Sequence, residues 1–66
     1  MNSFGENLKQ CRERCNLTQQ ELARKIRVGA DTINRYESGL QTPTTHTILK
    51  LSTVLDIPAS ELLKQA

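Results

Sequence analysis

The chain has 66 residues, 36% of them hydrophobic with no Trp, and a formal net charge of +2. That length holds one small core and excludes a second functional domain, and a domain of this size is marginal unless it is well packed or dimeric. The mild positive charge permits a nucleic-acid partner without demanding one, and the lack of any membrane-spanning apolar run or visible signal peptide points to a cytoplasmic protein.

The first helix is predicted to run from Ser3, which can cap it, to Cys15, with Phe4, Leu8 and Cys11 on one face at i, i+4 and i+7. Asn16 tolerates the left-handed conformation that ends a helix. Cys11 and Cys15 stand one turn apart, a spacing that would suit a metal pair only with further Cys or His nearby. The one histidine, His46, is far along the chain, so no metal is expected and the pair reads as a small core residue and a semi-exposed one. A disulfide within one helix is geometrically poor.

A second helical pattern spans Leu17 to Ile26, with Leu22, Ala23 and Ile26 forming one apolar face and Thr18 and Glu21 at capping-box spacing. Arg27, Val28 and Gly29 make a tight connection to a third, Ala30 to Glu37. Only Ile33 and Tyr36 are large and apolar there, so this helix buries a narrow stripe and turns Ala30, Asp31, Asn34 and Arg35 outward. Helices joined by so short a turn cross steeply, and Ala23 is the small residue where their backbones can meet. Ser38 to Pro43 is rich in turn formers and reads as a loop, with Gly39 as the helix stop. The fourth helix starts near Thr44 or Thr45 and ends near Leu55, burying Ile48, Leu51 and Leu55. Asp56 and Ile57 turn the chain, and Pro58 opens a last helix through Leu63. With no alternating β pattern, the expected fold is all-α, a compact domain of five helices.

The run Leu17-Thr-Gln-Gln-Glu-Leu-Ala, then Ile26, then Thr32-Ile-Asn-Arg-Tyr-Glu37-Ser-Gly39, resembles the helix-turn-helix of the phage repressor and Cro (XRE-like) family of transcription regulators. The resemblance covers the whole chain, and the spacing from Gln19 to Glu37 is kept without gaps. It implies a lambda-repressor-like fold, one DNA-binding domain over residues 1–66, and a repressor that binds a double-stranded DNA operator. Such a chain suits either a whole Cro-like regulator or the DNA-binding part of a longer repressor. In the family an arginine of the first helix pairs with the glutamate that closes the recognition helix, which implies a structural pair of Arg12 and Glu37. That glutamate would otherwise face both a helix C-terminus and nearby phosphates. Three positions depart from the pattern. Arg27 stands where Gly is common because the backbone has φ > 0, which costs about 1 kcal/mol and predicts a slightly altered turn. Gly29 replaces a Ser or Thr cap, and Thr45 stands where Leu is frequent.

A recognition helix in the major groove presents side chains to base edges near its N-terminal end. Arg35 can fork onto guanine, Asp31 can accept from cytosine or simply favour the helix dipole, Ala30 can meet a thymine methyl, and Asn34 can reach a base or the backbone. Gln19 joins this group, in the family bridging a phosphate and the base-reading side chains, so its expected role is chiefly positioning. Phosphate contacts are expected from Thr18, Arg27, Ser38, Gln41, Thr42 and Thr44. The loop after the third helix carries no Lys or Arg, so the electrostatic grip should be weaker than is usual.

One unit covers a half-site, so a homodimer on a palindromic operator is expected. The stretch from Ile57 to Leu63 has more apolar residues than a short helix can bury, which makes Ile57, Leu62 and Leu63 the expected interface. An enzyme is excluded: no nucleophile has a base at plausible spacing, and there is neither a glycine-rich phosphate loop nor a paired-carboxylate motif, so no cofactor is expected. The competing reading is a helix-turn-helix used for protein binding, of antitoxin or antirepressor type. That reading requires large apolar residues on the outward face of the third helix, where this chain has Asp31, Asn34 and Arg35.

Overall fold

The computed structural model describes residues 3–63. Its elements are α1 (Phe4–Arg14), α2 (Gln19–Ile26), α3 (Ala30–Ser38), α4 (Thr45–Leu55) and α5 (Ala59–Leu62), with no strand among the described residues. Both predicted side-chain caps, Ser3 and Thr18, form, and Thr44 supplies a third that the sequence reading did not assign. Ser3 Oγ accepts from the Glu6 N–H at 3.3 Å and Thr44 Oγ1 from Thr47 at 3.2 Å. At α2 the capping box closes in both directions, Glu21 N–H to Thr18 Oγ1 at 3.0 Å and Thr18 N–H to Glu21 Oε1 at 2.9 Å. The bonds from Thr18 lower the Glu21 pKa from its ordinary value. α3 begins at Gly29 with no side-chain cap.

The first four helices all end in the same way. In each, a residue at positive φ (Asn16, Arg27, Gly39, Asp56) sends its N–H back to the carbonyl three residues earlier, and the next N–H reaches five residues back. This is the Schellman arrangement, which satisfies carbonyls that the helix leaves orphaned. Only one of these four positions is glycine. Asn and Asp adopt the left-handed region with little penalty, whereas Arg27, at φ 62°, carries the backbone strain. The expected alteration of that turn does not occur. Arg27 N–H still bonds Arg24 O at 3.3 Å and Val28 N–H bonds Ala23 O at 2.9 Å, with Val28 packed against the core. Two backbone bonds and a buried contact outweigh a strain of about 1 kcal/mol.

The core gathers Leu8 of α1, Leu22, Ala23 and Ile26 of α2, Ile33 and Tyr36 of α3, Ile48, Leu51 and Leu55 of α4, and Leu62 of α5. α3 packs against both α1 and α2, while α4 closes the other side of α2 and α5 bridges α1 and α4. The approach of α1 to α3 depends on Gly5. A Cβ there would stand 2.3 Å from the carbonyl oxygen of Glu37 and 2.7 Å from that of Tyr36, both backbone atoms. Only hydrogen fits, and this close approach sets the distance between Arg12 and the end of α3.

The C-terminal stretch requires a correction. Leu62 has no exposed surface, and Ile57 and Ala59 pack partly buried against the core, so the surplus of apolar side chains expected there does not exist. Leu62 is a core residue and is unavailable as an interface. Leu63, 47% exposed, is the large apolar side chain of this stretch that stays outside. Thr45 is exposed, so the departure from Leu there leaves no gap in the core.

Candidate nucleic-acid interface

α2 and α3 together present the polar face that the sequence pattern implies. With Ile33 and Tyr36 turned into the core, Asp31, Asn34 and Arg35 are exposed on α3, and Ala30 is half-buried at its start. Across the turn, Gln19 opens α2 and lies against the same face, half-buried. No large apolar side chain is exposed on α3.

Beneath this face lies a charged junction. Arg12, 8% exposed, reaches from α1 to the end of α3, where its Nε donates to Glu37 Oε2 at 2.6 Å and its Nη2 donates to Oε1 at 3.2 Å. Nη1 donates to the Leu17 carbonyl at 2.7 Å, so one guanidinium ties together α1, the start of α2 and the end of α3. The hydrogen bonds to Glu37 raise the Arg12 pKa, outweighing the opposite effect of burial. Such a pair contributes more to fixing geometry than to net stability, because desolvation of both charges offsets much of their attraction. Gln19 completes the junction. Its Nε2 donates to Glu37 Oε1 at 3.0 Å and makes a longer contact of 3.5 Å to Asn34 Oδ1.

Asp31 and Arg35 form a separate pair, Arg35 Nη2 to Asp31 Oδ2 at 2.9 Å, one helical turn apart. Both side chains are more than half exposed, so water screens the pair and it is worth at most about 1 kcal/mol. Arg35 is therefore held over α3 but easily released.

The other polar candidates lie around the rim. Ser38, Gln41, Thr42 and Thr44 are exposed at the end of α3 and along the loop to α4. Ser38 Oγ donates to Arg35 O at 3.3 Å, and Thr44 Oγ1 shares a hydrogen bond with Thr47 Oγ1 at 3.1 Å. Thr18 is exposed, with its N–H committed to Glu21. Arg27 stands elsewhere, with Lys25, His46 and Lys50 around an open groove whose apolar wall includes Ile26, Leu49 and Val54. Sequence reasoning missed the bond from Gln19 to Glu37, which no local spacing encodes. It also left Asp31 and Arg35 unpaired, although their i,i+4 spacing was a usable signal. Cys11 is half-buried, with its thiol pKa pushed up chiefly by burial, and Cys15 is exposed with its Sγ 3.6 Å from Leu55 O.

Comparison with known proteins decides the family. Residues 8–62 match the family described as Helix-turn-helix. The chain belongs to that helix-turn-helix family. It is 39% identical over 61 residues to an uncharacterized HTH-type transcriptional regulator, YqaE of Bacillus subtilis, a match covering 92% of this chain and 53% of YqaE. The helix-turn-helix chain thus spans about half the length of that relative. Among solved structures it superimposes on the P22 c2 repressor protein in complex with a synthetic operator, with TM-score 0.91, 25% identity and 97% of each chain covered. It also superimposes on SinR, the master regulator for biofilm formation, in complex with DNA, with TM-score 0.86, 34% identity, and 92% of this chain and 98% of that one covered. These likenesses bear out the all-α repressor-type fold and the assignment to phage-type helix-turn-helix regulators. No helix among the described residues is long and apolar enough to cross a membrane.

Proposed function

We propose that this chain acts in the cytoplasm as a sequence-specific repressor of transcription, laying α3 into the major groove of a palindromic DNA operator as a homodimer. The observation that carries this reading is the exposed face of α3. It offers hydrogen-bonding groups on Asp31, Asn34 and Arg35 at successive turns, with Gln19 beside them and no large apolar side chain among them. That surface suits base edges and phosphates, whereas an antitoxin or antirepressor surface would need apolar anchors. The two neighbours bound to DNA support the same reading.

In this reading Arg35 leaves its weak partner Asp31 to fork onto guanine, Asp31 accepts from an amino-bearing base, and Ala30 meets a thymine methyl. Thr18, Ser38, Gln41, Thr42 and Thr44 hold the backbone on either side, whereas Arg27, turned to the groove beside Lys25 and Lys50, is left out of these contacts. With Leu62 inside the core, the dimer contact falls to Leu63 and the exposed edge of Ile57. The test is selection of bound sequences from a random duplex pool, followed by titration of the selected duplex against salt. A dimer neutralising about six phosphates gives a log–log slope of about −5, and a slope near zero refutes DNA binding of this kind.

A further inference from the structure

We infer that Gln19 reads a base as a hydrogen-bond acceptor, because Glu37 turns its amide with the carbonyl outward. Glu37 is thereby a positioning residue for sequence recognition. The inference rests on the DNA-binding reading above and assigns Gln19 a role different from the phosphate bridge that the family resemblance implies.

Donors and acceptors fix the orientation of the amide. A carboxylate has no hydrogen to give, and both oxygens of Glu37 already accept from Arg12. The atom of Gln19 that lies 3.0 Å from Glu37 Oε1 must therefore be the amino nitrogen. Its second hydrogen faces Asn34 Oδ1 at 3.5 Å, so neither amino hydrogen of Gln19 is directed at a ligand. What Gln19 presents is Oε1, an acceptor only. A phosphate oxygen is also an acceptor only, so in this orientation the side chain has nothing to offer the DNA backbone. The groups it does fit are exocyclic amines in the major groove, N6 of adenine or N4 of cytosine. Asn34 carries the opposite polarity. With Oδ1 turned to Gln19, its amino group faces outward as a donor. The ion pair that joins α1 to α3 thus also sets which hydrogen-bonding sign the start of α2 displays.

The orientation is held more firmly than a surface amide. Glu37 is fixed by two bonds from a buried guanidinium, and Gln19 is itself half-buried. Turning the amide over would bring its carbonyl against a carboxylate in a place with little water, which is repulsive at short range.

The test uses the duplex that the parent protein selects from a random pool. At each position of the half-site an adenine is replaced by purine, which lacks the 6-amino group, or a cytosine by the pyrimidinone lacking the 4-amino group. For the parent, one such deletion per half-site weakens binding about tenfold, and Gln19→Ala is insensitive to that same deletion. Glu37→Gln should invert the preference. Its own amino group would face Gln19, whose amide then turns its NH2 outward, favouring the O6 of guanine or O4 of thymine at that position. If Glu37→Gln does not fold, the amine deletions on the parent and Gln19→Ala still decide. Equal loss for Gln19→Ala on every duplex, or full sensitivity of Gln19→Ala to every amine deletion, overturns the inference. A parent that selects no duplex at all overturns the DNA-binding reading itself, a distinct outcome.

Discussion

Replacing Arg12 by Met isolates the energetic role of the junction beneath α3. Methionine retains the apolar length of the stem, so packing between α1 and α3 changes little, while three donors disappear together. Glu37, whose side chain is 6% exposed, would lose its counter-charge and two of the three bonds it accepts, keeping Gln19 alone. The Leu17 carbonyl would lose its side-chain donor as well. Breaking a buried pair so that one charge stays behind costs about 3 to 5 kcal/mol. At roughly 0.05 to 0.15 kcal/mol per residue, a domain of this length has a total stability of about 3 to 10 kcal/mol. Arg12→Met is thus expected to remove a large share of the stability, and in urea followed by helical circular dichroism it should unfold at much lower denaturant. The double variant Arg12→Met with Glu37→Leu should recover most of the loss, because no charge is then left in the interior. An Arg12→Met protein within about 1 kcal/mol of the parent would refute the reasoning and make the pair a surface contact.

Gly5→Ala should destabilise the fold by about 1 to 3 kcal/mol, because its methyl group meets the Glu37 and Tyr36 carbonyl oxygens and α1 must lift from α3. Helix propensity favours alanine by at most about 1 kcal/mol, so a raised melting temperature would contradict that contact. Arg27→Gly should stabilise by at most about 0.5 kcal/mol, the strain of about 1 kcal/mol for a left-handed arginine less the extra chain entropy of glycine. Equilibrium unfolding of the two proteins checks this, and a loss would mean that the Arg27 side chain contributes more in its groove than the backbone strain removes. Arg35→Ala should weaken binding to the preferred duplex by about 1 to 3 kcal/mol and relax preference at one base pair. Titrations on single-base-pair changes at fixed salt read this directly, and a uniform loss would assign Arg35 to a phosphate.

Most of the secondary structure was legible along the chain because what makes it is local. The Ser3, Thr18 and Thr44 caps act on N–H groups three residues away, and the stripes Leu22, Ala23, Ile26 and Ile48, Leu51, Leu55 repeat at the helical period. The same locality made the exposed face of α3 readable, since two large apolar residues on a short helix leave the rest of it to solvent. The pairing of Arg12 with Glu37 could be anticipated only through family resemblance, because no pattern in the chain relates residues 25 positions apart. Packing decided what lay beyond that. A helix of four residues is too short for periodicity to tell inside from outside, so the burial of Leu62 follows from where α5 meets α1 and α4. Nothing in the sequence around Gly5 marks it, and only the approach of the Tyr36 and Glu37 carbonyls shows why no side chain fits. The direction of the Gln19 amide is likewise a tertiary property. Either end of an amide can face a solvent-exposed helix start, and it is a carboxylate 18 residues away, itself held by a buried arginine, that selects the amino group.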